Sequence, residues 1–151
     1  MESARKFIMD DDNQSNPEFI DIYTDGSGLY PGTDYASAGA GVYIPSRDVR
    51  ISRKVPGNPQ TNNRAELFAV ILALKWIHQH CDSDERYAIY TDSTYVQNGL
   101  VYDVKTHLEL WDELKMLIRP GIVFRKVKGH SGNPFNDEAD RLANCAAKKP
   151  Q

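Results

Sequence analysis

Apolar and polar residues alternate in "FIDIYT" (residues 19–24), the pattern of a strand with one buried face. "AGAGVYI" (38–44) and "VRISRKV" (49–55) predict two further strands, joined by a turn near Pro45–Asp48. Three short neighbouring strands of this kind form an antiparallel meander. "PGNPQTNN" (56–63) is a loop that ends in a helix start. From Ala65 to Trp76, ten of twelve residues are apolar, so this helix is buried on nearly every side. "RYAIYT" (86–91) predicts a fourth strand, followed by helices over about 93–101 and about 107–118. "GIVFRKV" (121–127) is the last strand, and a helix over about 134–148 closes the chain. The expected order is β-β-β-α-β-α-α-β-α.

Composition narrows the class. With 151 residues, 40% hydrophobic and 26% charged, the chain suits one globular domain. Residues 1–17 are polar and acidic and are expected to be a flexible tail, with residues 18–151 forming the folded domain. No apolar run reaches the roughly 18 residues of a membrane span, and no signal-peptide core is present. Cys81 and Cys145 form no disulfide framework, so an intracellular setting is expected, cytoplasmic or nuclear rather than secreted, with a monomer as the working state.

Net charge is −3, which at first argues against a nucleic-acid partner. That charge lies in residues 1–18, where five acidic groups face two basic ones; residues 19–151 carry 16 of each sign. Basic clusters stand at Arg47/Arg50/Arg53/Lys54, Arg125/Lys126/Lys128 and Lys148/Lys149.

The candidate chemistry is carboxylic. "YTD" occurs twice and places Asp25 and Asp92 at the ends of apolar strands, where ligands gather in α/β sheets. Glu66 is the single acid of the apolar helical run, and an isolated buried charge needs a partner. The last helix offers Asp137, Glu138 and Asp140. At about 100° per residue Asp137 points away from the apolar stripe, while Glu138 and Asp140 flank it on opposite sides, so periodicity does not choose between them. Several converging carboxylates, without thiolates or clustered histidines, make a hard-oxygen site suited to Mg²⁺ or Mn²⁺. Two such ions about 3.5–4 Å apart would serve phosphoryl transfer. "HQHC" (78–81) is better read as a polar helix end than as a metal cluster, and "AGAG" lacks the spacing of a nucleotide loop.

"YTDGSG", "QTNNRAEL", "YTDSTYV" and "VKGHSGNPFNDEADRLA", in this order and spacing over about residues 19–147, resemble the successive motifs of the type 1 ribonuclease H family. The resemblance implies a ribonuclease H-like α/β fold: a five-stranded mixed sheet, its first three strands antiparallel and its fourth and fifth parallel, flanked by helices. It implies cleavage of the RNA strand of RNA–DNA hybrids with two Mg²⁺ ions, leaving 3′-hydroxyl and 5′-phosphate ends; Mn²⁺ is a possible substitute. It assigns metal binding and catalysis to Asp25, Glu66, Asp92 and Asp140, and so selects Asp140 over Glu138. It assigns His130 to proton transfer or product release.

Substrate contacts are implied at Gly26, Ser27 and Gly28, at Asn62 and Asn63 in the minor groove, and at Thr61 on a DNA phosphate. RNA differs from DNA at the 2′-hydroxyl exposed in the wide minor groove, and small residues, Gly39 and Gly41 among them, let backbone approach it. "TNN" also reads as a helix N-cap cluster, which is itself an anion site. Arg64 is either a substrate contact or a structural ion-pair partner.

Two departures stand out. Residues 102–108, "YDVKTHL", are too short for the basic protrusion of many relatives, and Pro59 replaces a basic residue found in some. Substrate grip is therefore expected to need the basic clusters, a further binding domain or a partner. Cleavage of double-stranded RNA, or a place in a retroelement polyprotein, is the alternative within the superfamily. A binding-only module is disfavoured because the acidic set is complete.

Overall fold

In the computed structural model, the structure describes residues 9–10, 19–80, 84–127 and 132–149, the first pair through its backbone alone. The strands are β1 (Met9–Asp10), β2 (Phe19–Leu29), β3 (Ser37–Ile44), β4 (Val49–Lys54), β5 (Arg86–Thr91) and β6 (Ile122–Lys126). The helices are α1 (Asn62–His80), α2 (Thr94–Val101), α3 (Leu108–Leu117) and α4 (Pro134–Lys148). The sheet runs β1-β6-β5-β2-β3-β4. Pairing is antiparallel in β2–β3 and β3–β4 and parallel in β2–β5 and β5–β6, so the five expected strands form the expected mixed sheet.

Two features differ from the sequence-based expectation. Met9–Asp10 adds a sixth, parallel edge strand beside β6, within the stretch read as tail. Asp25 does not end its strand, because β2 runs on to Leu29. The parallel β2–β5 ladder nevertheless stops at Tyr23↔Tyr90, after which β2 continues against β3 alone, pairing Asp25 with Gly41. Asp25 therefore emerges where two strands diverge, and Asp92 follows the last residue of β5 at the same opening. Thr24 Oγ1 donates to the Tyr90 carbonyl (2.8 Å) and ties the strands just before they part.

α1 is apolar around its circumference because it is sandwiched. Leu67, Ile71, Leu74 and Ile77 are fully buried in one core with Ile22, Ile89 and Phe124 of the sheet and with Leu110, Trp111 and Leu114 of α3. Each such side chain contributes roughly 1.5–3 kcal/mol on burial. On the opposite sheet face α4 crosses β2, β3 and β4. It lies so close that a Cβ on Gly41 would stand 2.2 Å from the Ala139 carbonyl oxygen, and one on Gly39 2.3 Å from the Ala147 nitrogen. This corrects the expectation for Gly39 and Gly41. They lie buried beneath α4, and their smallness serves helix–sheet contact rather than a groove.

Candidate active site

Four segments bring their functional groups to one open cleft of about 550 Å³ at the β2/β5 opening. Asp25, Glu66, Asp92 and Asp140 all line it, with Gly26, Ser27, Gly28, Asn62, Asn63, Ser93 and Thr94. One oxygen from each of Asp25, Glu66 and Asp92 lies within 4.8 Å of the others. Asp140 joins from α4 as a further lining residue of the same cleft.

The N-terminus of α1 is fixed by buried polar struts. The Gln60 amide accepts from Ala38 N (2.8 Å) and donates to the Val55 carbonyl (2.7 Å), fastening the preceding loop to β3. Arg64, nearly inaccessible, donates to Glu109 (2.7 Å) and to the Pro56 carbonyl (3.2 and 3.1 Å). Arg64 is thus a structural ion-pair partner. Thr61 Oγ1 accepts from Arg64 N (3.3 Å) as a helix cap, and Asn62 Oδ1 accepts from Gly28 N (2.6 Å). Gly26 permits this closeness, since its Cβ would lie 2.3 Å from Glu66 N. Asp92 is held from the other side, where Ser93 caps α2 by accepting from Val96 N (3.1 Å) and Asn136 Nδ2 approaches Asp92 Oδ2 at 3.5 Å.

Among the described residues, the charges that bear most on this cluster are its own. Burial first, then the Asp92 charge and Asp140, push the Asp25 carboxyl up to about 8; the Gly26 amide offsets only part of this. Burial, followed by the charges of Asp25 and Asp92, raises Glu66 well above the usual carboxylate range. Glu66 Oε1 is buried without a hydrogen-bond partner among the described residues. An orphaned carboxylate oxygen among mutually repelling oxygens fits a hard divalent cation, which would supply the missing positive charge.

The acids of α4 differ in their surroundings. Glu138 pairs with Arg50 (2.7 Å) and with Arg141 (2.8 Å), whereas Asp140 faces the cleft. Asp137 is exposed. Asn62 and Asn63 line the cleft, while Thr61 is not among its lining residues and serves as the cap. His130 lies outside the described residues. His78 and His80 contact the Leu117 and Trp76 carbonyls, as a helix end does. Among the basic clusters, Arg47 pairs with Glu85, Arg50 with Asp48 and Glu138, and Arg125 is buried against Phe19 and Tyr90. Residues 102–107 connect α2 directly to α3, in keeping with a compact form that lacks the protrusion. Asn136 and Asn144 were not singled out from sequence. Both lie four residues from Asp140, so helical spacing alone would have marked them as its neighbours.

The family model for RNase H matches residues 17–148. The chain belongs to the RNase H family. The ribonuclease H of Baumannia cicadellinicola subsp. Homalodisca coagulata is 32% identical over 149 residues, covering 87% of this chain and 92% of that protein. The ribonuclease H of Escherichia coli O9:H4 (strain HS) is 31% identical over 148 residues, covering 87% and 90%. Among solved structures, LC11-RNase H1 in complex with RNA/DNA hybrid aligns with a TM-score of 0.67 at 30% identity, over 85% of this chain and 96% of that one. This RNase H is accordingly an enzyme of a metal-dependent nuclease family, with a carboxylate cluster where its sheet opens. Among the described residues no helix is long and apolar enough to cross a membrane.

Proposed function

We propose that this RNase H hydrolyses the RNA strand of RNA–DNA hybrids with two Mg²⁺ ions, Mn²⁺ substituting, and leaves 3′-hydroxyl and 5′-phosphate ends. The observation that carries the reading is the convergence of Asp25, Glu66 and Asp92, with one oxygen of each within 4.8 Å of the others and Glu66 Oε1 orphaned among the described residues. Family membership and the hybrid bound by LC11-RNase H1 support the substrate. Asp25, Glu66, Asp92 and Asp140 would hold the ions. When bound, such ions acidify an attacking water and neutralise charge on the leaving oxygen.

The chain's own residues do the rest. Asn62 and Asn63 present amides at the rim of the cleft, suited to 2′-hydroxyls and base edges in a minor groove. Gly26, Ser27 and Gly28 offer a low wall along the same side. Thr61 and the N-terminus of α1 favour a phosphate of the DNA strand. His130 assists proton transfer or product release. With several arginines engaged in internal pairs, phosphate neutralisation is modest, and a further binding domain or partner would strengthen the grip.

The test is a panel of identical duplexes, RNA–DNA, RNA–RNA and DNA–DNA, incubated with Mg²⁺. Cleavage confined to the RNA of the hybrid, with a 5′-phosphate on the product, is expected. Equal cutting of RNA–RNA, or activity undiminished by chelator, would overturn the reading.

A further inference from the structure

Asp140 is the exposed member of the four carboxylates and stands outside the trio whose oxygens lie within 4.8 Å of one another. A side chain in that position needs something to restrain its rotamer. The restraint in this chain is Asn144, one helical turn further along α4 and on the same face. Asn144 Nδ2 donates to Asp140 Oδ2 (3.3 Å), while Asn144 Oδ1 accepts from Ser27 Oγ (2.5 Å). Ser27 belongs to β2, two residues beyond Asp25, and is itself largely buried. The hydroxyl bond sets the orientation of the Asn144 amide. A flipped amide would turn its carbonyl towards the Asp140 carboxylate and its NH₂ away from it. The bridge exists because Gly39 and Gly41 let α4 settle onto the sheet, which brings Asn144 within reach of β2.

We propose that Asn144 is a positioning residue: the bond chain Ser27–Asn144–Asp140 ties the fourth carboxylate to the strand that carries Asp25 and so pre-orients it for a divalent cation. The proposal rests on the reading of the four carboxylates as a cation site. It places no reacting atom on Asn144, which acts only through Asp140. Ligand-orienting partners of this kind are typically worth 10–100-fold in metal affinity or activity.

The experiment measures Mn²⁺ binding by titration calorimetry, without nucleic acid, alongside the Mg²⁺ dependence of hybrid cleavage. Asn144→Leu keeps the branched shape of the side chain, with somewhat greater bulk, and removes both bonds. It is expected to weaken Mn²⁺ binding and raise the half-maximal Mg²⁺ concentration by roughly 10–100-fold, with saturated cleavage much less affected. Ser27→Ala should move both quantities in the same direction by less, and it probes the chain from its other end if Asn144→Leu folds poorly. The double variant should resemble Asn144→Leu alone, because both changes break one chain. In an Asp140→Asn background, Asn144→Leu should add nothing to the loss of Mn²⁺ binding. Normal binding in the parent with unchanged curves in Asn144→Leu and Ser27→Ala would overturn the role of Asn144. Fully additive effects would overturn the single chain. A parent protein that binds no divalent ion would overturn the cation-site reading and this proposal with it.

Discussion

Glu138 and Asp140 lie two residues apart on one helix and meet opposite fates. Glu138 sits between Arg141 and Arg50, and its hydrogen bonds to their guanidinium groups pull its carboxyl down to about 2. Asp140 faces other acids, and its contact with Asp25 helps push that carboxyl up to about 8. Sequence composition does not distinguish the two acids. Their partners do. Where carboxylates are answered by fixed cations, the protein has built a surface strut. Where no described cation answers them, a deficit remains that a diffusible cation can fill, and it marks the candidate active site.

The sharpest way to break this contrast is to remove one unanswered charge. Asp25→Asn should lower hybrid cleavage by roughly 10³-fold or more, the loss of several kcal/mol of charge stabilisation, while leaving the cleft's shape. The metal-free protein should become more stable, since the change relieves repulsion. Single-turnover cleavage and thermal melting check both halves, and substantial activity in the variant would remove Asp25 from the site.

A second expectation concerns pH and metal. Asp25 is raised above its ordinary value of 3.8, so the folded state holds a proton that the unfolded state releases. That contribution to stability is fully present below about 3.8 and is lost as pH rises to about 8. Glu66, also raised, acts in the same direction. The metal-free melting temperature should therefore decline across this window. Mg²⁺ should restore it increasingly, because a cation binds the ionised form. At about 100-fold excess over Kd, one bound ion adds about 2.7 kcal/mol, or roughly 5–10 °C in Tm for a domain of this size. Calorimetric scans with Mg²⁺ or with chelator would test this, and a Mg²⁺ effect that shrinks with rising pH would contradict it.

The smallest effect belongs to the answered charge. Glu138→Ala should change cleavage by no more than about twofold and cost about 0.5–1 kcal/mol, as expected for an exposed ion-pair network. The sign of its pH dependence is reversed. A depressed carboxyl adds stability above its ordinary 4.5 and loses it as pH falls towards about 2. Urea unfolding at low and high salt would measure it. A catalytic loss as deep as that of Asp25→Asn would erase the distinction between the two acids.

Much of the fold was legible because its signals are local. Alternation in "FIDIYT" marked β2, and the apolar run after "TNN" marked α1 as buried on several sides. The turn between β3 and β4 fell where expected, at Pro45–Arg47 followed by Asp48 at φ 53°. Less legible were features that depend on distant chain. The extension of β2 to Leu29 is stabilised by antiparallel pairing with β3, not by alternation within "DGSG". The edge strand at Met9–Asp10 exists through β6. Gly39 and Gly41 look like groove residues until α4 is seen lying on them.

The amino-acid sequence alone determined the five main strands and four helices, their order, and that a few carboxylates stand in contexts where charge is costly. Those are properties of short windows, set by backbone propensity and by side-chain periodicity. Only the tertiary structure decided which acids share a cleft and which are neutralised by arginine, and that Asn144 bridges Asp140 to Ser27 across 117 positions of chain. The reason is that Coulomb energy and hydrogen bonding depend on separation in space, and that separation exists only once α1, α4 and the sheet have come together.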